Sequence, residues 1–166
     1  MRRYTRKLRR IFQEDAGDAK LEFAMSAMTL LMAIFGAMDF ARAGYVFHFV
    51  SYAAQQGTRY AMVRGASWGT SCASASSNGC TASSSNVQSY VQGLAGPLIT
   101  SSSITVTTTW PGTNVGGSTA GCSTTNTAGC LVKVKVSYPF SFPMSLSFLP
   151  SITKTFTGTS EAVIQW

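Results

Sequence analysis

The fold of this chain is decided by GDAKLEFAMSAMTLLMAIFGAMDFARAGYVFHFVSYAAQQGTRYAMVRG, residues 17–65. The stretch contains no proline, and residues 23–38 within it carry no charge and are rich in Ala, Met, Leu, Ile and Phe. As a helix, those sixteen residues span about 24 Å, and extension to Ala41 approaches the roughly 30 Å hydrocarbon core of a bilayer. We therefore predict a transmembrane helix over residues 18–42.

The pattern changes over residues 43–65, where the apolar positions become periodic. They recur at steps of three, four and seven, which is the spacing of one helix face. The predicted apolar stripe is Val46, Phe49, Ala53, Tyr60 and Val63, and the residues predicted on other faces are Ser51, Gln55, Thr58 and Arg59. This half is expected to continue the helix as an amphipathic extension that packs on a domain of its own chain or on neighbouring helices.

Residues 1–17 read as a basic leader in front of the apolar run. Six of the thirteen Lys and Arg residues lie in the first ten positions. Such a cluster beside an apolar helix marks the cytoplasmic side of a membrane, and no later basic patch with interleaved aromatics supports nucleic-acid binding. The far membrane interface is expected at an aromatic set formed by Tyr45, Phe47, Phe49 and Tyr52.

Four cysteines follow the apolar run, in two pairs of equal spacing: Cys72 and Cys80, then Cys122 and Cys130. Zinc sites usually use shorter spacings and recruit histidine, whereas the one histidine of the chain, His48, lies in the predicted helix. We therefore expect disulfides in an oxidising compartment and no metal. Of the three possible connectivities, the local one is favoured because each pair flanks a small polar loop.

Residues 66–166 are expected to form an extracytoplasmic α+β domain with polar loops at 66–86 and 111–129. A short helix is predicted after an N-cap at Ser85 or Asn86, with Gly96-Pro97 as its stop. Period-two alternation predicts antiparallel strands over Ser103–Trp110, Leu131–Phe140 and from residue 153 to the end. The proline-rich link is expected to stay out of a central strand; its prolines are Pro139, Pro143 and Pro150. The fold class is thus α+β, with a long N-terminal helix packed on about three antiparallel strands; the further description as pilin-like rests on the resemblance given below.

Catalytic chemistry is not expected. The six carboxylates are scattered, the one histidine lies in the helix, and the sequence holds neither a nucleophile elbow nor a phosphate-binding glycine loop. We predict that the protein is not an enzyme and that it uses no cofactor.

The junction before the apolar run reads A-G-D-A-K-L-E-F, with Glu22 as the fifth residue after Gly17. It resembles the processing site of type IV prepilins. With the helix and the later YAAQQGTRYA, the pattern resembles the TadE-like pseudopilins of the tight-adherence (Flp, type IVc) pilus system. The resemblance covers about residues 17–65. The chain departs from it between Ser26 and Thr29, where many relatives have Leu-Pro, so a helix kink is not carried over.

The resemblance implies a minor pilin-like protein of the bacterial inner membrane, with its N-terminus cytoplasmic and its C-terminal domain outside. It implies cleavage between Gly17 and Asp18 by a prepilin peptidase, and assembly roles for Glu22 and Phe23. Its implied partners are other pilin-like subunits, the pilus assembly machinery and membrane lipid. The residues alone also allow an interfacial acid at Glu22 and an uncleaved signal-anchor protein whose outer domain binds a ligand or a surface.

Overall fold

A computed structural model of the chain describes residues 2–66, 68, 81–122, 126–142 and 153–165, and for residues 2–17 it describes the backbone alone. The helices are α1 (Arg2–Val63) and α2 (Ser84–Gly93), and the strands are β1 (Thr105–Thr109), β2 (Leu131–Ser141) and β3 (Thr153–Val163). The strands form one antiparallel sheet in the order β1-β2-β3. The predicted α+β fold, with a long N-terminal helix and a three-stranded antiparallel sheet, is confirmed.

The chain divides into two compact units, Met1–Ala41 and Arg42–Trp166. The described residues of the first unit all belong to α1, whereas the second unit contains the end of α1, α2 and the sheet. One hydrophobic core fills the second unit, built from residues of α1, α2 and β2 together with loop residues.

The buried face of α1 in the second unit agrees with most of the predicted stripe. Val46, Phe49, Ala53 and Tyr60 are buried as predicted. Val63 was predicted in the stripe, but it is 38% exposed because it is the last residue of the helix.

Thr58 was predicted on another face, and this is wrong: it is 2% exposed. Its hydroxyl donates to the Ala54 carbonyl at 2.8 Å, so its polar group is satisfied inside the core. The buried face is wider than the predicted stripe because small residues let the rest of the unit close around it. The further small residues buried on α1 are Ala43, Ala54 and Ala61.

Two glycines lie where the elements of this core approach most closely. A Cβ built on Gly57 of α1 would lie 2.9 Å from Val91 Cγ2 and 3.2 Å from Val134 Cγ1. A Cβ built on Gly158 of β3 would collide with the carbonyl oxygen of Val50, which belongs to the helix backbone. Side chains at these positions would push the helix away from α2 and from the sheet.

The central strand β2 shows the predicted alternation. Val132, Val134 and Val136 are fully buried, and Lys133 and Lys135 between them are exposed. Lys133 forms an ion pair with Glu161, its partner on β3 in the sheet register, at 3.7 Å.

Pro139 belongs to β2, as the predicted strand Leu131–Phe140 requires, although the proline-rich link that also contains it was expected to stay out of a central strand. The strand tolerates this proline because β1 pairs with β2 only as far as Ser137, so β2 has a neighbour on one side at residue 139. Pro143 and Pro150 lie outside the described residues.

Strand β1 is shorter than predicted at both ends. Ser101–Ser103 form a 3-10 turn, and the Ile104 backbone N–H donates to the Ser101 carbonyl at 3.1 Å, so pairing with β2 begins at Thr105. At the other end, the strand stops before Trp110, which is followed by a proline.

Helix α2 packs on the core with Val87 and Val91, which are both buried. Its N-cap is Ser83 rather than the predicted Ser85 or Asn86, since the Ser83 hydroxyl accepts from the Asn86 backbone N–H at 3.2 Å. The helix ends at Gly93, before the predicted stop.

Cys122 and Cys130 form a disulfide, as the local connectivity predicted. Cys72 and Cys80 lie outside the described residues. At the edge of the first polar loop, the Asn126 side-chain amide donates to the Ala82 carbonyl, and the Ala66 backbone N–H donates to the Asn126 carbonyl at 2.8 Å. These contacts join the end of α1 to the loops that precede α2 and β2.

Candidate membrane and assembly segment

The first unit carries large apolar side chains that nothing in the described structure covers. The helix Asp18–Val63 is long and apolar enough to cross a membrane, and no residue of its most apolar 18-residue stretch is buried. The exposed large side chains of this segment are Leu21, Phe23, Met25, Met28, Leu30, Leu31, Met32, Ile34, Phe35, Met38 and Phe40. An apolar surface of this extent on one helix requires lipid or other helices around it.

The exposed apolar residues surround the helix and do not form a stripe. Leu30, Leu31 and Met32 are consecutive, so they point in directions about 100° apart, and all three are exposed. A helix that is apolar all round lies in a membrane or in the core of an assembly. This is the physical distinction between residues 18–41 and the later half of α1, whose apolar residues face one core.

The Thr29 hydroxyl and the backbone of this segment have their hydrogen-bond partners within the helix. Thr29 donates its hydroxyl to the Met25 carbonyl at 2.9 Å, so the side chain leaves no free donor. The backbone is helical throughout, which satisfies its N–H and C=O groups within the segment. The segment can therefore enter hydrocarbon without an unsatisfied group at Thr29.

Glu22 and Phe23 stand at the start of the uncovered segment, as the sequence predicts. Phe23 is 75% exposed. Asp18 and Glu22 are four residues apart in α1, so their side chains share one face of the helix, and both are exposed. Among the side chains described from residue 18 onward, none forms an ion pair with Glu22. Its carboxylate is available to a cation from outside the chain.

The Gly17–Asp18 peptide lies inside α1, because the helix continues without a break from Arg2. The sequence predicts a leader as a separate segment and does not indicate that the helix extends through it. A protease that cuts this bond must open the helix locally. Glycine in a helix interior is about 1 kcal/mol less favourable than alanine, so Gly17 lowers the free energy needed for that opening.

The predicted interfacial aromatic set needs one correction, at Phe49, and its position at a membrane interface stays a prediction. Tyr45, Phe47 and Tyr52 are exposed, as such a role requires, but Phe49 is buried in the core. Phe49 lies three residues after Val46 and four before Ala53, which are both buried, so it belongs to the core-facing side of α1.

Sequence reasoning missed the small residues that let the core close on α1. Gly57 and Gly158 were not singled out, although each lies where a Cβ would meet another element. The sequence does contain a signal for Gly57, because small residues recur around it at helical spacing, namely Ala53, Ala54 and Ala61. No comparable signal marks Gly158, because its role depends on which residue of α1 crosses β3.

Among the described residues, no group of three His, Cys, Asp or Glu side chains could hold a metal ion. The described side chains of this segment thus offer apolar contact and three carboxylates, Asp18, Glu22 and Asp39, for which the described residues show no ion pair.

Fold and segment together define a class: proteins with one N-terminal helix of membrane-spanning length whose later half packs on a small sheet. Residues 17–59 match the model of the family described as TadE-like protein, which is the family that the sequence pattern of residues 17–65 resembles. The match begins at Gly17 and includes the uncovered segment and most of the core-facing half of α1. A search of the curated proteins and a search of the solved structures each found no match to the chain.

Proposed function

We propose that this protein is a minor pilin-like subunit, a pseudopilin, of a tight-adherence pilus assembly system. The observation that carries the proposal is the family match over residues 17–59, which contains the leader junction and the uncovered apolar segment in one stretch. The protein acts without enzymatic chemistry: it initiates or caps a filament by helix–helix packing. Its partners are other pilin-like subunits, the assembly machinery and membrane lipid.

Before assembly, the apolar segment lies in the bacterial inner membrane as a single span. The basic leader keeps the N-terminus in the cytoplasm by the positive-inside rule, and the domain lies outside. The Cys122–Cys130 disulfide supports this orientation, because disulfides persist in oxidising compartments.

Processing by a prepilin peptidase before Asp18 releases a new α-amino group. Asp18 and Glu22 are separated by about one helical turn, or roughly 6 Å along the axis. A carboxylate costs about 2.5–3.5 kcal/mol at the centre of a bilayer, so Glu22 needs a cation when it enters an apolar filament core. The α-amino group of a neighbouring subunit supplies that cation.

N-terminal sequencing of membrane-extracted protein tests the processing. We expect a mature chain that starts at Asp18, and we expect Gly17→Leu to abolish the cut. Gly36→Leu is the matched control, because it places the same side chain in α1 where a Cβ meets nothing within 4 Å. Cleavage should survive in the control.

The rival function is an uncleaved signal-anchor protein whose outer domain binds a ligand or a surface. The continuity of α1 through Gly17 favours it, since a helical peptide bond resists proteolysis until the helix opens. Recovery of the intact leader from a strain with an active prepilin peptidase would establish this rival and exclude the pseudopilin.

The assembly role predicts that Glu22→Ala leaves membrane insertion intact and abolishes piliation. The reason is that the subunit loses the carboxylate that pairs with its neighbour's amine. Glu161→Ala is the matched control: this acid lies on an exposed strand and its one ion pair is exposed, so its loss should cost at most about 1 kcal/mol. Electron microscopy of surface pili gives the readout, and normal pili in the Glu22→Ala strain would contradict the filament role.

A further inference from the structure

One end of the second unit combines apolar, aromatic and basic side chains at its surface. We call it the Arg42 end and define it by six residues, Arg42, Tyr45, Phe47, Leu98, Phe142 and Lys154. Arg42, Tyr45 and Leu98 line one small cavity of about 80 Å³, together with residues of β2 that include Phe140. The Arg42 end thus contains residues of α1, of the loop after α2, and of the sheet end where β2 finishes and β3 begins, which we call the β2–β3 end.

Ring contacts connect the remaining members to this cavity. Phe140 meets Phe142 with ring centroids 4.9 Å apart and Phe156 at 6.0 Å. Phe156 in turn meets Phe47 at 6.3 Å. Lys154 is the partner of Phe140 in the register of β2 and β3, so it lies at the same end of the sheet.

The apolar members of the Arg42 end remain at the surface although this unit has a well-packed core. Leu98 is 58% exposed and Phe47 is 53% exposed. Tyr45 is held over the loop after α2, where a Cβ on Gly96 would lie only 2.6 Å from its hydroxyl oxygen. The Tyr45 ring therefore has a defined place at the surface, because Gly96 has no side chain to occupy that space.

The six residues that define this end carry two positive charges and no negative charge, and Asp39 lies three residues before Arg42 in α1. Arg42 and Lys154 are both exposed. Residues 42–166 contain one side-chain carboxylate, Glu161, which pairs with Lys133. Glu161 is seven residues from Lys154 along β3, or roughly 23 Å at the rise of a strand, so it does not offset the positive charge at the Arg42 end.

The Arg42 end also begins where the apolar run stops. Arg42 follows Ala41 directly in the sequence, so it stays within one residue of the apolar segment whatever orientation that segment takes. If the segment spans a membrane, Arg42 is at the level of the lipid headgroups. Exposed tyrosine and phenylalanine rings favour that level, and each Lys or Arg there attracts anionic lipid.

We propose that the Arg42 end is a second membrane contact, which docks on anionic phospholipid headgroups beside the span. The inference rests on the proposed membrane placement of residues 18–42. Tyr45, Phe47 and Leu98 enter the headgroup–acyl boundary, and Arg42 and Lys154 contact lipid phosphates. Docking holds the sheet domain against the membrane until the subunit joins an assembly, and the anionic lipid content of the membrane sets the docked fraction.

Quenching of a tryptophan by brominated lipid tests the contact in the full-length chain reconstituted in vesicles. The probe is Leu98→Trp, and the matched control is Val115→Trp, an apolar residue that is 73% exposed. Val115 lies near the opposite end of β2, where the Leu131 backbone N–H donates to the Thr113 carbonyl at 2.9 Å. Subtraction of the wild-type signal removes the contribution of the native tryptophans.

In vesicles of brominated phosphatidylcholine mixed with phosphatidylglycerol, we expect quenching of the probe at residue 98 and none at residue 115. Without phosphatidylglycerol, quenching at residue 98 should fall. Quenching at residue 98 that does not exceed the control would overturn the proposal. Quenching independent of phosphatidylglycerol that changes with the protein-to-lipid ratio would also overturn it, because a second copy of the chain would then be the occupant.

A charge variant separates electrostatic docking from simple proximity. In the Leu98→Trp background, Lys154→Gln should lower the ratio of docked to undocked protein about fivefold, the effect of one basic residue near an anionic surface. Lys135→Gln is the control, because it removes the same charge from an exposed position on the outer face of β2. Equal effects of the two variants would refute a specific role for the Arg42 end.

Flotation of the vesicles distinguishes this inference from the function on which it rests. If the chain fails to float with vesicles, residues 18–42 do not anchor it, and the proposed membrane placement fails together with the docking. If the chain floats while residue 98 stays unquenched, the anchor stands and the docking alone is wrong.

Discussion

The two halves of α1 differ in what surrounds their side chains. Over residues 18–41 the large side chains are exposed on every side, whereas over residues 43–61 one face is buried in the core of the sheet domain. Small residues let the second half approach the core closely: Ala53, Ala54 and Ala61 are fully buried, and a Cβ on Gly57 would meet side chains of both α2 and β2.

The contrast shows how one continuous helix serves two environments. Fluid lipid adapts to the shape of any side chain, so residues 18–41 need only present an apolar surface to it. The large apolar side chains of this half make that surface as extensive as possible. A β-sheet is a fixed surface, and small residues let it approach until backbone meets backbone, as at Gly158 and Val50. Substitutions in the second half should therefore destabilise the sheet domain, and matched substitutions in the first half should not.

The largest effect is expected for Gly158→Ala. The added Cβ would meet the Val50 carbonyl carbon at 2.6 Å and the Ser51 nitrogen at 2.8 Å, and the helix backbone cannot move aside as a side chain could. We expect the free energy of unfolding to fall by about 3 kcal/mol or more. Urea unfolding of the full chain in detergent, followed by tryptophan fluorescence, measures it. Thr159→Ala, on the exposed face of the same strand, should change stability by less than about 1 kcal/mol.

Truncation of Val50 should have the next largest effect. Val50 is fully buried, so Val50→Ala leaves a cavity in a packed core and should lower the free energy of unfolding by about 2 kcal/mol. The counterpart in the other half is Leu31→Ala at a half-exposed position. That change should alter domain stability by less than about 0.5 kcal/mol. Equal losses in the two variants would show that both halves of α1 belong to one folding unit.

The smallest change in the free energy of unfolding is expected for Gly57→Ala, because a gain in helix propensity opposes a steric cost. Alanine improves helix propensity by about 1 kcal/mol, but the new Cβ crowds Val91 and Val134 at a cost of about 1–3 kcal/mol. We expect a net loss of about 1 kcal/mol, measured in the same unfolding assay. Gly36→Ala is the control, because a Cβ there meets nothing within 4 Å. A stabilised Gly57→Ala variant would mean that the core yields more easily than its packing indicates.

The sequence by itself determined the parts of this protein that depend on local pattern. Sixteen uncharged residues after a basic leader indicate a membrane helix, and alternation of Val132, Val134 and Val136 with lysines indicates a half-buried strand. The junction at Gly17 and Glu22 likewise lies in one contiguous stretch, so the amino-acid pattern alone indicates the similarity of residues 17–59 to the TadE-like family. Each of these features is a property of neighbours along the chain.

Only the tertiary structure decided the features that depend on residues far apart in sequence. Thr58 is buried because the unit closes around a wide face of α1, and Pro139 fits in β2 because β1 begins opposite Ser137 and does not reach residue 139. Gly158 is required because α1 crosses β3 there, 108 residues from Val50 in the sequence. The Arg42 end arises in the same way, as α1, the loop after α2 and the β2–β3 end of the sheet meet only once the core has formed. The physical reason is that local pattern sets which face of an element is apolar, whereas contact between elements sets which of its residues must be small.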